Sequence, residues 1–397
     1  MERLIGTVSR GVRAPIIREG DDIVKIVADS VLAASNGGAD LLDKDIVAVT
    51  ESVVARAQAN YATVDDIADD IRAKFPSGVF GIVFPIHSRN RFSILLRGFA
   101  KGAKKIYILF SYPADEVGNH FFSQDDLDAS GVDPYKDVLD EETYRKHFGY
   151  QLHPFTGMDY VTYYHELIEG VGAECEIIFA NDARAILNYT KNVLACDIHT
   201  RERTKRILKA AGGEIVYDMA DVLSAPVNGS GYNEDYGLYG SNKSTEDRIK
   251  LFPRDCQPVV DGIAKALYEA SGKHVEAMVY GDGAFKDPVG KIWELADPVV
   301  SPAYTAGLEG QPNELKLKYL ADNDFKHLKG EELEAAIKES IKHKPTESMV
   351  GNMASQGTTP RRLTDLIGSL CDLTSGSGDK GTPIIWISGY FDNLTAE

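Results

Sequence analysis

Between about residues 86 and 222 the chain alternates short apolar runs, KKIYILF, CEIIFA and NVLAC, with amphipathic stretches such as MDYVTYYHELIEG and TRERTKRILKAAGG. Strands that are apolar on consecutive positions must be covered on both faces, so this rhythm predicts a parallel α/β unit with helices packed over its sheet. In such units ligand-competent residues stand just beyond the strand ends. Here those are His87-Ser88-Arg89-Asn90, Ser111-Tyr112, Asn181-Asp182 and Asp197-Ile198-His199. No G-x-G-x-x-G follows any of these strands, so a dinucleotide has no fingerprint.

The flanks read differently. In IIREGDDIVKIVADSVLAAS, Asp21 and Asp22 precede Ile23, Ile26, Val27 and Val31 at helical spacing and act as N-terminal caps. DIVAVTESVVARAQ predicts a buried strand running into polar residues. TVDDIADDIRAKF is an acidic amphipathic helix, and VFGIVFP another buried strand. Residues 223–250 are rich in Gly, Asn, Ser and Tyr and are expected to be irregular. A helix (CQPVVDGIAKALYEAS), a strand (HVEAMVYGD), a solvated helix over 330–345, a helix over 359–374 and a strand over 383–388 complete the chain.

At 397 residues the chain is too long for one ordinary core, which predicts two or three structural units. A net charge of −17 argues against duplex nucleic acid or an anionic membrane as a partner. The four cysteines include no C-x-x-C pair, so neither a zinc site nor a disulfide framework is implied. No apolar run reaches bilayer length and MERLIGTVSRG has no apolar signal core, so a cytoplasmic protein is expected.

Candidate chemistry begins with SGSGDKGTPIIWISG, residues 375–389. Its glycines let backbone N–H groups converge on an anion. It lacks the ending of a Walker loop and precedes a strand instead of following one, so taken alone it reads as a surface turn. Asp282 ends an apolar strand beside Gly283, where a carboxylate can hold a hard cation or simply make a turn. Asp235 and Asn242 share the polar loop NEDYGLYGSN, and Thr359 and Asp365 stand six residues apart at a helix start. No H-E-x-x-H and no nucleophile elbow is present.

The order of these pieces resembles the coenzyme F-420:L-glutamate ligase family, the gamma-glutamyl ligases of the deazaflavin cofactor. RAPIIREGDDIVKIV and DIVAVTESVVARA are similar to that family's opening. GSNKSTEDRIKLFPRD, VYGDGAFKDPVGK and TPRRLTDLIGSLCDLTSGSGDKGTPIIWISG resemble its later motifs. The resemblance implies an α+β ligase core split in sequence (1–85 and 223–397), with 86–222 as an inserted parallel, Rossmann-like α/β unit. It also implies a carboxylate activated by GTP or ATP as an acyl phosphate and then attacked by L-glutamate. Nucleotide contacts carried over are Ala14, Pro15, Ile16, Ile17, Glu51, Ser52, Arg56, Asn242, Ser375, Gly376, Ser377, Gly378, Asp379, Lys380, Gly381 and Thr382. Arg56 and Lys380 would stabilise charge during transfer, and Asp235, Asp282 and Asp365 would hold Mg²⁺ or Mn²⁺. A small-molecule acid acceptor and a homodimer complete the implied picture.

The chain departs from the family pattern at Tyr239, where a metal-binding Asp is usual, at Gly283 for Thr, and at Ser377 for Gln or Glu. The acceptor can be the deazaflavin precursor, a folate or another acid. Two other classes stay open, a non-catalytic metabolite-binding protein on the same fold and, last, an oxidoreductase using the middle unit.

Overall fold

The computed structural model describes residues 4–88, 91–153, 156–281, 301–345, 353–355, 362–376 and 378–396. The strands of the first part are β1 (Val8–Val12), β2 (Ile46–Thr50), β3 (Tyr61–Thr63), β4 (Val79–Val83) and β5 (Lys105–Phe110). Next come β6 (Leu139–Asp140), β7 (Glu174–Phe179), β8 (Asn192–Ala195) and β9 (Ile215–Asp218). The chain closes with β10 (Asn242–Lys243), β11 (Arg248–Lys250), β12 (Glu276–Tyr280), β13 (Ala303–Tyr304) and β14 (Ile384–Ser388).

Both ends of the chain build one five-stranded sheet in the order β1-β14-β2-β12-β13. Only β2 and β12 run parallel; every other pair is antiparallel. Side chains alternate across β2 because successive residues of a strand point to opposite faces. Val47 and Val49 meet Val27 and Val31 of helix Ile23–Asn36 and Val260 and Ile263 of helix Cys256–Ser271. Ile46 and Ala48 meet Ile367 and Cys371 of helix Leu363–Ser375. The result is a sheet covered on both sides. Inside it the Trp386 indole N–H donates to Asp45 Oδ2 at 2.7 Å, tying the last strand to the approach of β2.

The second large sheet has six strands in the order β6-β7-β5-β4-β8-β9, parallel except for the edge strand β6. Ile67, Leu95, Phe99, Tyr164 and Ile168 cover one face, over Phe80, Ile82, Ile106 and Ile177. Ile186 and Leu208 cover the other, over Val83, Leu109, Val193 and Val216. Gly81 of β4 has no side chain because Ile186 lies where a Cβ would be. The parallel α/β rhythm read from the sequence is therefore present, but the sheet starts earlier than residue 86. β4 is an interior strand of it, and helix Val64–Lys74 packs on helix Phe92–Lys101 beside it.

A third sheet, β10-β11-β3, is antiparallel. It gives order to part of the stretch expected to be irregular. Residues 223–241 are mostly turns, whereas 242–243 and 248–250 are strands that pair with each other, the second also docking on β3. Asn60, fully buried, secures the docking. Its amide donates to Phe252 O at 2.7 Å and Tyr232 O at 3.0 Å, and its carbonyl accepts the Tyr232 N–H at 3.0 Å.

Candidate functional site

Strand direction brings four distant parts of the chain to one end of the five-stranded sheet. β2 finishes at Thr50 and turns at once into helix Glu51–Ala57. β12 runs alongside in the same direction, with Tyr280 opposite Thr50, so the two strands end together. β14 runs the other way and starts at this end, Ile384 opposite Val49. β1 leaves here too, with Val12 opposite Ile384. Two backbone bonds stitch the loops together. The Ala14 N–H donates to Gly381 O at 3.2 Å, and the Thr50 N–H donates to Pro383 O at 3.0 Å.

β11 supplies a fifth piece. The Lys250 ammonium donates to Ser52 Oγ at 2.6 Å and lies 3.4 Å from Glu51 Oε2. Glu51 is 2% exposed and Lys250 7%. Across β10, Asn242 is the register partner of Lys250. The far end of helix Glu51–Ala57 is clamped to the same segment, because Gln58 accepts the Arg254 N–H at 2.9 Å and donates to Arg254 O. Glu51 and Ser52, singled out as a pair in the sequence, thus hold a lysine that was not, and Asn242 is that lysine's register partner. The lysine's signal was a single charge in the otherwise apolar run IKLF.

In the glycine loop, Gly376 and Gly378 to Gly381 are exposed. Gly376 has φ +60°, and a Cβ there would come within 2.5 Å of Lys380 Nζ, so the lysine folds back over the loop's first glycine. Gly378–Lys380, which includes Asp379, forms one 3-10 turn, and Gly381 follows at φ +67°. The Thr382 hydroxyl closes the loop by donating to Ser375 O at 3.1 Å. Ser377 lies outside the described residues. In the neighbouring segment Ile17 is buried, Ile16 is exposed, and Pro15 borders a groove of about 560 Å³ between β1 and helix Ile23–Asn36. Arg56 is exposed in the last turn of its helix, about 7.5 Å of rise from Glu51.

The expected metal ligands are less gathered. Asp235 is exposed, its N–H donating to Asn233 Oδ1 at 3.1 Å. Asp365 is half-buried in the first turn of helix Leu363–Ser375. Both are hard oxygen donors of the kind Mg²⁺ or Mn²⁺ takes, and neither is held in an ion pair among the described residues. Among the described residues no three His, Cys, Asp or Glu side chains converge on a point that would hold a metal. Asp282, Gly283 and Thr359 lie outside the described residues; Gly281, immediately before Asp282, is buried. Tyr239 is a packing residue: its hydroxyl donates to Asp197 O at 2.8 Å under the Arg201 guanidinium, and burial holds its phenol well above the ordinary range.

No thiol here is prepared as a nucleophile. Burial pushes Cys175 and Cys256 up to about 12, and raises Cys196 and Cys371 as well. No helix among the described residues is long and apolar enough to cross a membrane.

The family whose pattern this sequence matches is one of ligases. The chain belongs to the F420-0:Gamma-glutamyl ligase family, which matches residues 11–389 and so takes in the middle segment as well as the flanks. It is also similar to the coenzyme F420:L-glutamate ligase of Methanothermobacter thermautotrophicus, 36% identical over 53 residues. That stretch amounts to 13% of this chain and 20% of the relative.

Proposed function

We infer that this protein joins L-glutamate to a small-molecule acid through an amide bond, using GTP or ATP and a divalent cation. The carrying observation is the convergence of residues 14–17, Glu51-Ser52 and the glycine loop at the shared end of β1, β2, β12 and β14. A carboxylate does not condense with an amine at a useful rate until its oxygen is made a better leaving group than hydroxide. Transfer of a phosphoryl group to it supplies one. The loop's backbone N–H groups and Lys380 would meet phosphate oxygens, with Arg56 nearby. Asp235, Asp282 and Asp365 would hold Mg²⁺ or Mn²⁺, whose role is to neutralise phosphate charge. The acceptor proposed first is the deazaflavin precursor, with a folate or another acid as alternatives, and the working unit proposed is a homodimer. The test is turnover with each acceptor, ¹⁸O-labelled in the reacting carboxylate. Label in inorganic phosphate with a nucleoside diphosphate as co-product is expected; label in a nucleoside monophosphate would replace phosphorylation by nucleotidyl transfer. Asp282→Asn should abolish Mn²⁺-dependent turnover, and a wild-type response to Mn²⁺ in that variant would move the metal elsewhere.

A second reading, a binding protein without turnover, draws on Tyr239, which packs against Asp197 where the family tends to have an acidic ligand. Nucleotide binding with no hydrolysis or ligation for any acid and amine would favour it.

A further inference from the structure

Lys250 is a buried cation at the end of the sheet where a triphosphate would have to arrive. An ammonium has three N–H donors. Ser52 Oγ, at 2.6 Å, and Glu51 Oε2, at 3.4 Å, account for two, and no other partner of Lys250 occurs among the described residues. Its place is fixed by register opposite Asn242 and by the clamp of Gln58 on Arg254. Glu51 alone would repel a polyanion, in a chain that already carries −17. The lysine cancels that charge and keeps a donor in hand.

We propose that Lys250 is an oxyanion-binding residue that contacts a phosphate oxygen of the nucleoside triphosphate, with Glu51 and Ser52 holding its ammonium in place. This rests on the ligase reading above. Neither Arg56 nor Lys380 duplicates the role, because both are exposed, and a charged hydrogen bond is stronger where water is excluded.

The test compares binding of GTP and of inorganic triphosphate, each with Mn²⁺, by titration calorimetry. Lys250→Met alone would take the cation away from a buried carboxylate, so Lys250→Met/Glu51→Gln is compared with Glu51→Gln. Lys250→Met/Glu51→Leu serves as a second, apolar replacement of the pair, a change that buried ion pairs commonly tolerate. Circular dichroism and thermal melts confirm folding. The expected result is a loss of about ten-fold or more in affinity for both ligands relative to Glu51→Gln, the scale of one charged hydrogen bond. Undiminished binding of inorganic triphosphate by either folded double variant would make Lys250 a structural partner only and leave the ligase reading standing. Failure of the wild-type protein to bind either ligand would remove both.

Discussion

The two large sheets handle polar groups at their strand ends in opposite ways. Beyond the parallel strands of the six-stranded sheet, acceptors turn inward. The Glu116 carboxylate takes the N–H groups of Ile198 and His199, one Asp197 oxygen takes the hydroxyls of Thr200 and Thr204, and Asp115 takes the N–H groups of His87, Val117 and Asn119. That end is largely capped by its own loops, although His87 Nε2 and the other Asp197 oxygen are buried there without a hydrogen-bond partner among the described residues. At the corresponding end of the five-stranded sheet, backbone bonds join the loops to one another, and Gly376 and Gly378 to Gly381 stay exposed. Ala62 of β3 and Ile249 of β11 pack into the same core as the six-stranded sheet, which ties the strand carrying Lys250 to it.

At neutral pH, substitutions of descending effect on stability would break or sharpen this contrast. Gly81→Val forces a branched side chain into the space of Ile186. We expect a loss of about 3 kcal/mol in urea unfolding, the upper range for overpacking, with unchanged GTP affinity in the protein that remains folded. A parallel loss of affinity would mean that the six-stranded sheet is part of the site.

The next effect depends on pH. His87 is buried against Phe110, Phe121 and Tyr160, and burial lowers its pKa from 6.5 to about 3. Between those values the unfolded chain binds a proton that the folded chain refuses, so stability falls as pH drops from about 6.5 toward 3, at up to about 1.4 kcal/mol per pH unit. His87→Gln should flatten that part of the stability–pH curve. An acid limb as steep as that of the wild type would assign it to other groups.

Least destabilising is Gly378→Val. A Cβ at this position meets nothing within 4 Å, so stability should change by no more than about 0.5 kcal/mol. Triphosphate binding should nonetheless be lost, because the side chain would occupy the approach to the loop's N–H groups. Unaltered affinity would leave the loop a surface turn.

The helix–strand rhythm was legible because it depends on local periodicity, and the glycine loop because of its composition. What sequence patterns do not encode is partner choice. VFGIVFP is a buried strand in either sheet, and only the packing of Phe80 and Ile82 against Ile67 and Phe99 assigns it to the six-stranded one, ahead of residue 86. Lys250 was hidden for a related reason. A lone lysine in a strand normally points to water, and this one is buried because helix Glu51–Ala57 lies beside β11 and offers it Glu51 and Ser52. Tyr239 was recognised as a departure, but its bond to Asp197 crosses 42 residues of chain and needed the fold to be seen.

The position of β14 has a consequence for how the protein is made. β1 and β2 are not neighbours; β14 lies between them and pairs with both. The ribosome delivers β14 last, whereas the whole six-stranded sheet has emerged by residue 218. During synthesis β1 and β2 wait with open edges for a partner hundreds of residues away, the kind of distant pairing that slows folding and exposes a chain to aggregation. The amino-terminal strands thus depend on completion of translation, and a ribosome stalled before residue 384 would leave the five-stranded sheet without the strand that joins β1 to β2.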